Sequence, residues 1–517
     1  MIMKKLLTSM ILLAGSLTAA ATDYSGTLVV VINESVAQPT NASILIDKQD
    51  DGKYGLTLKN FILVKDGDEM PVGNIVLKDV EAANEQGMLV LETNQNIRIE
   101  DGDAEGVEVW YGPAITAADP IPVELRAVIN GDILSADIAV PLVGQDVKVV
   151  FDSREFQLPN AGFENFHTAT AGSATSDEPD NWHSFMSCTG TFAGIVSGVP
   201  HTFVSTDVRP GSDGSKSVLV KSGAVWGFTA NGTLTTGQLK AGSMSPTDAA
   251  NNAFIDLGNE ARDANGDPFY TMLDAQPDSI SAWVKFKQGT PVADHPYATM
   301  SAVITDGSYY QEPCDKDYSG VVVGKAECRT IASTGEWQKI VVPFEYAGAA
   351  KLPKTILVTF STNADAGQGS DSDELYLDDV ELVYSSYLSD LSVNGVTLPG
   401  FAPDKLEYVY GFAEGAMPTA DELTGMVGYV AGREARSFVL FDNNTVFVSV
   451  LSADLLSNHT YSIKFVEGAA GVESITNSND AVKTVYTLGG QQVDSTKKGG
   501  VYIVKYANGK TVKSISK

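Results

Sequence analysis

Two Asn-aromatic-His triplets, Asn165-Phe166-His167 and Asn181-Trp182-His183, stand sixteen residues apart, with Asp177, Glu178 and Asp180 between them. Imidazole and carboxylate are common Zn²⁺ ligands, and a hydrolytic zinc centre gathers them around one ion with a position left for water. The chain has only five histidines, His167, His183, His201, His295 and His459. No His-Glu-x-x-His occurs, and no two histidines recur at the i, i+4 spacing that would put them on one helical face. His167 and His183 can meet only if the chain between them folds back. The preferred reading is therefore the plainer one: Phe166 and Trp182 anchor the ends of a loop in the core, and both histidines lie at the surface.

Other chemistry is equally sparse. A glycosidase needs two carboxylates across a cleft, but 65 acidic residues give no way to pick a pair. There is no Gly-x-Ser-x-Gly elbow and no phosphate loop, which favours binding over catalysis. Sugar binding needs flat apolar faces for C–H patches and polar partners for hydroxyls. Candidates are the tandem Tyr309 and Tyr310 in a turn-rich segment, Trp226 and Phe228 flanking Gly227 on what reads as one strand face, and Trp182. Trp283 and Trp337 sit in alternating runs and read as core. Asp263-Ala264-Asn265-Gly266-Asp267 has the oxygen spacing of an EF-hand start, but Pro268 replaces the required glycine and Asp274 the final Glu. It reads as a tight turn.

Three cysteines are present. Cys314 and Cys328 could close a short loop in an oxidising compartment, stiffening the tyrosine segment; Cys188 reads as a small buried apolar residue. No Cys-x-x-Cys pair suggests structural zinc. The first residues carry Lys4-Lys5, an apolar run from Leu6 to Leu17, and Ala19-Ala20-Ala21, the pattern of a secretory leader over 1–21. No later stretch has the ~20 apolar residues of a membrane helix. The net charge of −30 makes nucleic acid an unlikely partner and supplies carboxylates for Ca²⁺. The expected product is exported, to the cell surface or outside the cell, with the periplasm as the other compartment.

The elements that must position these residues read as all-β and multidomain. Over 23–150, short strands such as Leu28–Ile32, Ser43–Ile46, Gly55–Leu58 and Asn74–Leu77 are joined by acidic turns, Asp50-Asp51-Gly52 and Asp101-Gly102-Asp103, predicting a closed up-and-down barrel. With its opening Tyr24-Ser25-Gly26, this stretch resembles the calycin-like (lipocalin-like) domains of exported Bacteroidetes proteins, which implies a barrel that either holds a small ligand or is filled by its own side chains. Residues 151–385 open with Gly162-Phe163-Glu164 and Trp182 and close with Leu377-Asp378-Asp379-Val380-Glu381-Leu382. Between them, Ser279–Lys287 and Gly335–Phe344 alternate with period two. This frame resembles the carbohydrate metabolism domain family abbreviated PCMD and, more broadly, β-jelly-roll carbohydrate-binding modules. Residues 386–466 read as a small Ig- or cadherin-like sandwich with one short helix capped by Thr419. Residues 467–517 comprise a polar linker and a tail with six lysines and no acid from Lys497 on. Gly500-Val501-Tyr502-Ile503-Val504 and Gly509-Lys510 resemble C-terminal sorting domains; the plainer reading is a hairpin turning at Asn508-Gly509.

The jelly-roll resemblance implies a structural Ca²⁺ where the first and last strands meet, held by Glu164 and by Asp378 or Asp379. Neighbours on a strand face opposite ways, so only one aspartate can point at the site, with Asp379 favoured. It also implies a secreted, non-catalytic protein that binds polysaccharide through the central domain. The alternatives are an adhesive protein recognising protein or matrix, and a carbohydrate-active hydrolase.

Overall fold

The computed structural model describes residues 21–468, except 34, 66–67, 86, 143–144 and 349–350, and then 471–473, 482–487, 492–493, 501–506 and 511–515. The expected leader up to residue 20 and the Asn508-Gly509 turn lie outside the described residues. These fold almost entirely as β-structure, in two compact units: the described residues up to Ser386 together with 432–436 and 451–458, and the rest from Tyr387 onward. No helix among the described residues is long and apolar enough to cross a membrane.

The first unit begins with a closed antiparallel barrel of eight long strands, sealed by pairing of Thr22–Ile32 with Gln145–Asp152. Its inward side chains, among them Leu28, Ile44, Leu58, Leu91, Leu125 and Phe151, pack into one continuous core, so the barrel is filled by its own side chains. Asp50-Asp51-Gly52 makes a turn, with Gly52 at φ 87°. Asp101-Gly102-Asp103 is not a hairpin. It lies in an irregular excursion where Trp110 closes over Gly102, and a Cβ there would meet the indole at 2.4 Å.

The central domain is a sandwich. One sheet runs Thr202–Ser205, Ser217–Lys221, Glu374–Val383, Ser279–Lys287, Gln338–Pro343; the other runs Thr233–Thr235, Thr355–Ser361, Tyr297–Thr305, Val322–Ala332, Glu345–Tyr346, with Thr271–Met272 pairing beside it. Alternation sends Ile280, Ala282, Val284 and Phe286 of one sheet against Ala298, Met300, Ile356, Val358 and Phe360 of the other. The two ends of the domain meet as the sequence frame predicts. The Gln157 side chain pairs with both backbone groups of Leu382, at 2.7 and 2.9 Å, and the Val380 N–H donates to Ala161 at 2.9 Å. Trp283 and Trp337 are only half-buried. They are not core, because cations cover them: the Arg209 guanidinium lies 5.7 Å from the Trp283 ring and the Lys285 ammonium 5.6 Å from that of Trp337.

The opening histidine segment folds back after all. Phe166–Ala171 and Ala174–Pro179 form an antiparallel hairpin closed by Gly172-Ser173, Gly172 having φ 61°. His183 is fully buried and the His167 side chain only 10 % exposed, so neither is a surface residue.

In the second unit, Glu407–Phe412 runs parallel to Asn458–Glu467 within a five-stranded sheet, beside a three-stranded one. Its helix Ala420–Met426 starts at Thr419, whose N–H donates to Glu422 at 2.9 Å in a capping box. The tail strands Val501–Tyr506 and Thr511–Ile515 pair antiparallel.

Candidate functional site

The strands of the second central sheet present their other face outward. Between the core-facing residues, Thr299 and Ser301, Thr359 and Ser361, and Lys325, Glu327 and Arg329 stand in rows that floor an open groove of about 810 Å³. The floor is polar and internally paired. Lys325 Nζ donates to Glu312 at 2.7 Å, and Ser301 Oγ to the other Glu312 oxygen at 2.5 Å. Arg329 and His295 both bond Asp365, at 3.2 and 2.9 Å.

One wall is apolar. Strands Gly223–Val225 and Phe228–Ala230 pair so that Val225 faces Phe228, leaving Trp226-Gly227 as a two-residue turn with φ 52° and 85°, a type I′ geometry. Trp226 is 66 % and Phe228 58 % exposed. They therefore do not share a strand face as the alternation suggests; they stand at a hairpin tip. A bulky residue at positive φ is rare and costs ~1–3 kcal/mol, a strain that clusters at ligand sites.

The other predicted contacts lie elsewhere. Tyr310 is buried, its hydroxyl donating to Glu312 at 2.9 Å, and burial pushes the phenol far up. Tyr309 stacks on Phe254 at 5.8 Å and bonds Gln311 at 2.8 Å. The tandem is spent on packing beneath the groove wall. Trp182 is fully buried between Phe163 and Phe360, and its Nε1 donates to Pro159 at 3.1 Å, so no ligand can reach it. All three cysteines are free: Cys314 is exposed, while Cys328 packs on the sandwich core. The Cys314–Cys328 bridge is therefore absent. Burial pushes the Cys188 thiol up to about 12.

The Glu164, Asp378 and Asp379 carboxylates lie along the seam where the domain ends meet, and protein donors face them except at Asp378 Oδ1, which is buried without a partner. Glu164 Oε1 accepts the N–H groups of Ser215 and Lys216, both at 3.0 Å, and Ser215 Oγ donates to Oε2 at 3.2 Å. Burial pulls its pKa upward, yet these donors hold it below the usual range. Asp379 pairs with the Arg209 guanidinium, and Asp378 accepts the Arg209 N–H at 2.9 Å. Both aspartates reach one arginine because Asp379 has φ 42° and the register slips there, a bulge that breaks strict alternation. Burial, opposed by the Arg209 N–H and reinforced by Asp379, pushes the Asp378 carboxyl up to about 6.

Sequence reasoning missed the groove floor. The signal was present in the polar alternates of 297–305, 322–332 and 355–361, but walls made by remote loops cannot be read from strand patterns.

Residues 20–153 match the calycin-like β-barrel domain family. No curated protein matches the chain. Among solved structures, it is similar to a candidate glycoside hydrolase of Bacteroides thetaiotaomicron, with 17% identity over 49% of this chain and 79% of the other and a TM-score of 0.31. It is similar to a candidate outer membrane protein of Bacteroides fragilis, with 10% identity over 66% and 96% of the two chains and a TM-score of 0.18. A third likeness is to the M60 catalytic domain with its two CBM51 domains from Clostridium perfringens ZmpB, with 12% identity over 94% and 44% and a TM-score of 0.14. At these TM-scores none of the three carries an argument about chemistry.

Proposed function

We propose that this is an exported, carbohydrate-related surface protein whose central domain holds a glycan chain in the groove without cleaving it. The observation that supports this reading best is the exposed Trp226-Gly227-Phe228 tip standing over a polar sheet face. Aromatic faces cover sugar C–H patches, and Thr, Ser and charged residues in rows meet hydroxyls along an extended chain. The ordered floor also lowers the side-chain entropy lost on binding.

Glycan arrays followed by calorimetry on the intact mature chain test the reading. Trp226→Ala is expected to weaken binding by about 10- to 30-fold, the cost of removing a central aromatic anchor. Silence across polysaccharides by folded protein sinks it. A second reading, a hydrolase, draws on Glu312 and Glu327 lining the same groove. Reducing ends released by wild type and lost in both Glu312→Gln and Glu327→Gln would promote it.

A further inference from the structure

Beside the groove reading and independent of it, the central domain contains a second, buried arrangement. In the hairpin Phe166–Ala171 and Ala174–Pro179, His167 stands directly opposite Glu178, so the two side chains project from the same face. His183 is fixed four residues after the hairpin by mutual backbone bonds with Thr235, at 2.8 and 3.0 Å, and its ring packs 4.6 Å from Phe269. The turn around Gly266, pinned by an Arg262–Pro268 bridge, presents Asp263 to both histidines.

The atoms facing one another are His167 Nε2, His183 Nε2, Asp263 Oδ2 and Glu178 Oε2. Asp263 Oδ2 lies 3.4 Å from each imidazole nitrogen, and Glu178 Oε2 lies 3.8 Å from His167 Nε2. All four are buried, and none has a hydrogen-bond partner. The contacts are short, yet the groups do not aim hydrogen bonds at each other. Buried polar atoms are nearly always paired, and leaving even one unsatisfied costs ~1–3 kcal/mol. Four linked by contacts through Asp263 and His167 are accounted for by something between them.

Three of these side chains are held from behind, whereas His183 Nδ1, also buried, has no hydrogen-bond partner. Asp263 Oδ1 accepts the N–H groups of Asn265 and Asp267, at 2.9 and 2.8 Å. Glu178 Oε1 takes Ser184 N–H at 2.7 Å, Ser184 Oγ at 2.5 Å and Ser187 Oγ at 3.1 Å. His167 Nδ1 lies 3.1 Å from Asp180 Oδ1. One oxygen of each carboxylate is committed and the other left over, and an imidazole is oriented by a carboxylate. This is the outer-shell pattern that aims ligands at a metal. Asp267 joins them, with ligand atoms of His167, Asp263 and Asp267 all within 4.8 Å of one another.

We infer that this cluster binds one divalent transition cation of the Zn²⁺ type, with His167 Nε2, His183 Nε2 and Asp263 Oδ2 as inner ligands and Asp267 and Glu178 supplying further oxygen. With Zn–N and Zn–O bonds of ~2.0–2.1 Å, neighbouring ligands of a tetrahedral site stand ~3.3–3.4 Å apart, which matches the two histidine–Asp263 separations of 3.4 Å. Imidazole nitrogens select such a cation over Ca²⁺ or Mg²⁺, which want oxygen alone.

The test uses the tag-free, mature full-length chain, stripped with chelator and titrated calorimetrically with ZnCl₂, MnCl₂ or CaCl₂. Zn²⁺ or Mn²⁺ should bind at one equivalent. Asp180→Asn should weaken it by roughly 10–100-fold, as outer-shell losses do, and His183→Gln or Asp263→Asn by more. No tight uptake of either transition ion would mean that histidinium–carboxylate pairing holds the cluster, and would overturn the proposal. So would uptake of Ca²⁺ alone, or uptake unchanged in Asp263→Asn and His183→Gln. Should those variants not fold, X-ray absorption on the zinc-loaded wild type decides: imidazole back-scattering supports the site, and a shell without it refutes it. Failure of glycan binding leaves these readouts untouched.

Discussion

The central domain has two places where acids gather, and they differ in what the oxygens face. At the seam between the domain ends, Glu164 and Asp379 meet N–H donors and a guanidinium. At the hairpin centre, Asp263 and Glu178 each give one oxygen to donors and leave the other facing an imidazole nitrogen, with no hydrogen bond made. Density of carboxylates therefore says little about cation binding. At the seam protein donors meet Glu164 and Asp379, and Asp378 Oδ1 alone is left over; at the hairpin centre both carboxylates and both imidazoles leave a buried atom unpaired. The Gly-Phe-Glu and Leu-Asp-Asp-Val segments meet where the domain ends join, while the divalent site we infer is built from a plain polar hairpin and a turn.

The largest expected effect separates the two places by heat. A metal at 100 times its dissociation constant stabilises the folded state by ~2.7 kcal/mol, and a domain of this size shifts by ~2–4 °C per kcal/mol. Removing the metal with a chelator should lower the melting temperature of the central domain by about 5–10 °C. His183→Gln should melt low with or without chelator, whereas Glu164→Gln should keep the full chelator response. A response that follows Glu164 instead would return the cation to the seam.

A smaller effect concerns Asp378, whose Oδ1 is buried without a partner. Its carboxyl, raised by burial to about 6, takes up a proton in the folded state at mildly acid pH and is ionised above it. The ordinary value in an unfolded chain is ~3.9, so the folded state binds the extra proton between the two values. Stability from this group is present below about pH 4, falls as pH rises through about 6, and is missing above it. Asp378→Asn cannot titrate. It should stabilise by ~1–2 kcal/mol at neutral pH and by little at pH ~4, read from denaturant midpoints. An equal gain at both pH values would mean that the carboxyl is not protonated in the fold.

How much of this was legible follows from periodicity. Two kinds of strand announced themselves: the continuous apolar run Leu28–Ile32 in the barrel, buried on both faces, and the alternating Ser279–Lys287, whose Ile280, Ala282, Val284 and Phe286 do enter the core. The junction of domain ends was also legible, through Gly162-Phe163-Glu164 and Leu377–Leu382. The hairpin was not, because Phe166–Ala171 and Ala174–Pro179 carry no apolar alternation, and the turn that closes them is only Gly172-Ser173. That dipeptide was the available signal, since a two-residue Gly-Ser connection sets the register that places His167 opposite Glu178. Asp263 could not be found this way. It comes from a turn some eighty residues on, and only the sandwich brings it back. Tyr309 and Tyr310 failed for the opposite reason: a turn-rich composition suggested exposure, while Phe254 and Glu312 claimed the rings and hydroxyls.

The smallest effect isolates what the seam contributes. Glu164 caps two successive N–H groups, Ser215 and Lys216, and reaches them because Gly214 has no side chain; a Cβ there would stand 2.2 Å from Oε1. In Glu164→Ala both donors are released at a partly exposed edge, where water replaces the carboxylate, so the cost should be only about 1 kcal/mol. Gly214→Ala should cost about the same or more, by pushing the carboxylate away, and the two losses should not add, because they remove one contact. Neither should change zinc uptake. Additive losses would show that Gly214 matters for another reason, and altered zinc uptake would show that seam and hairpin are one site rather than two.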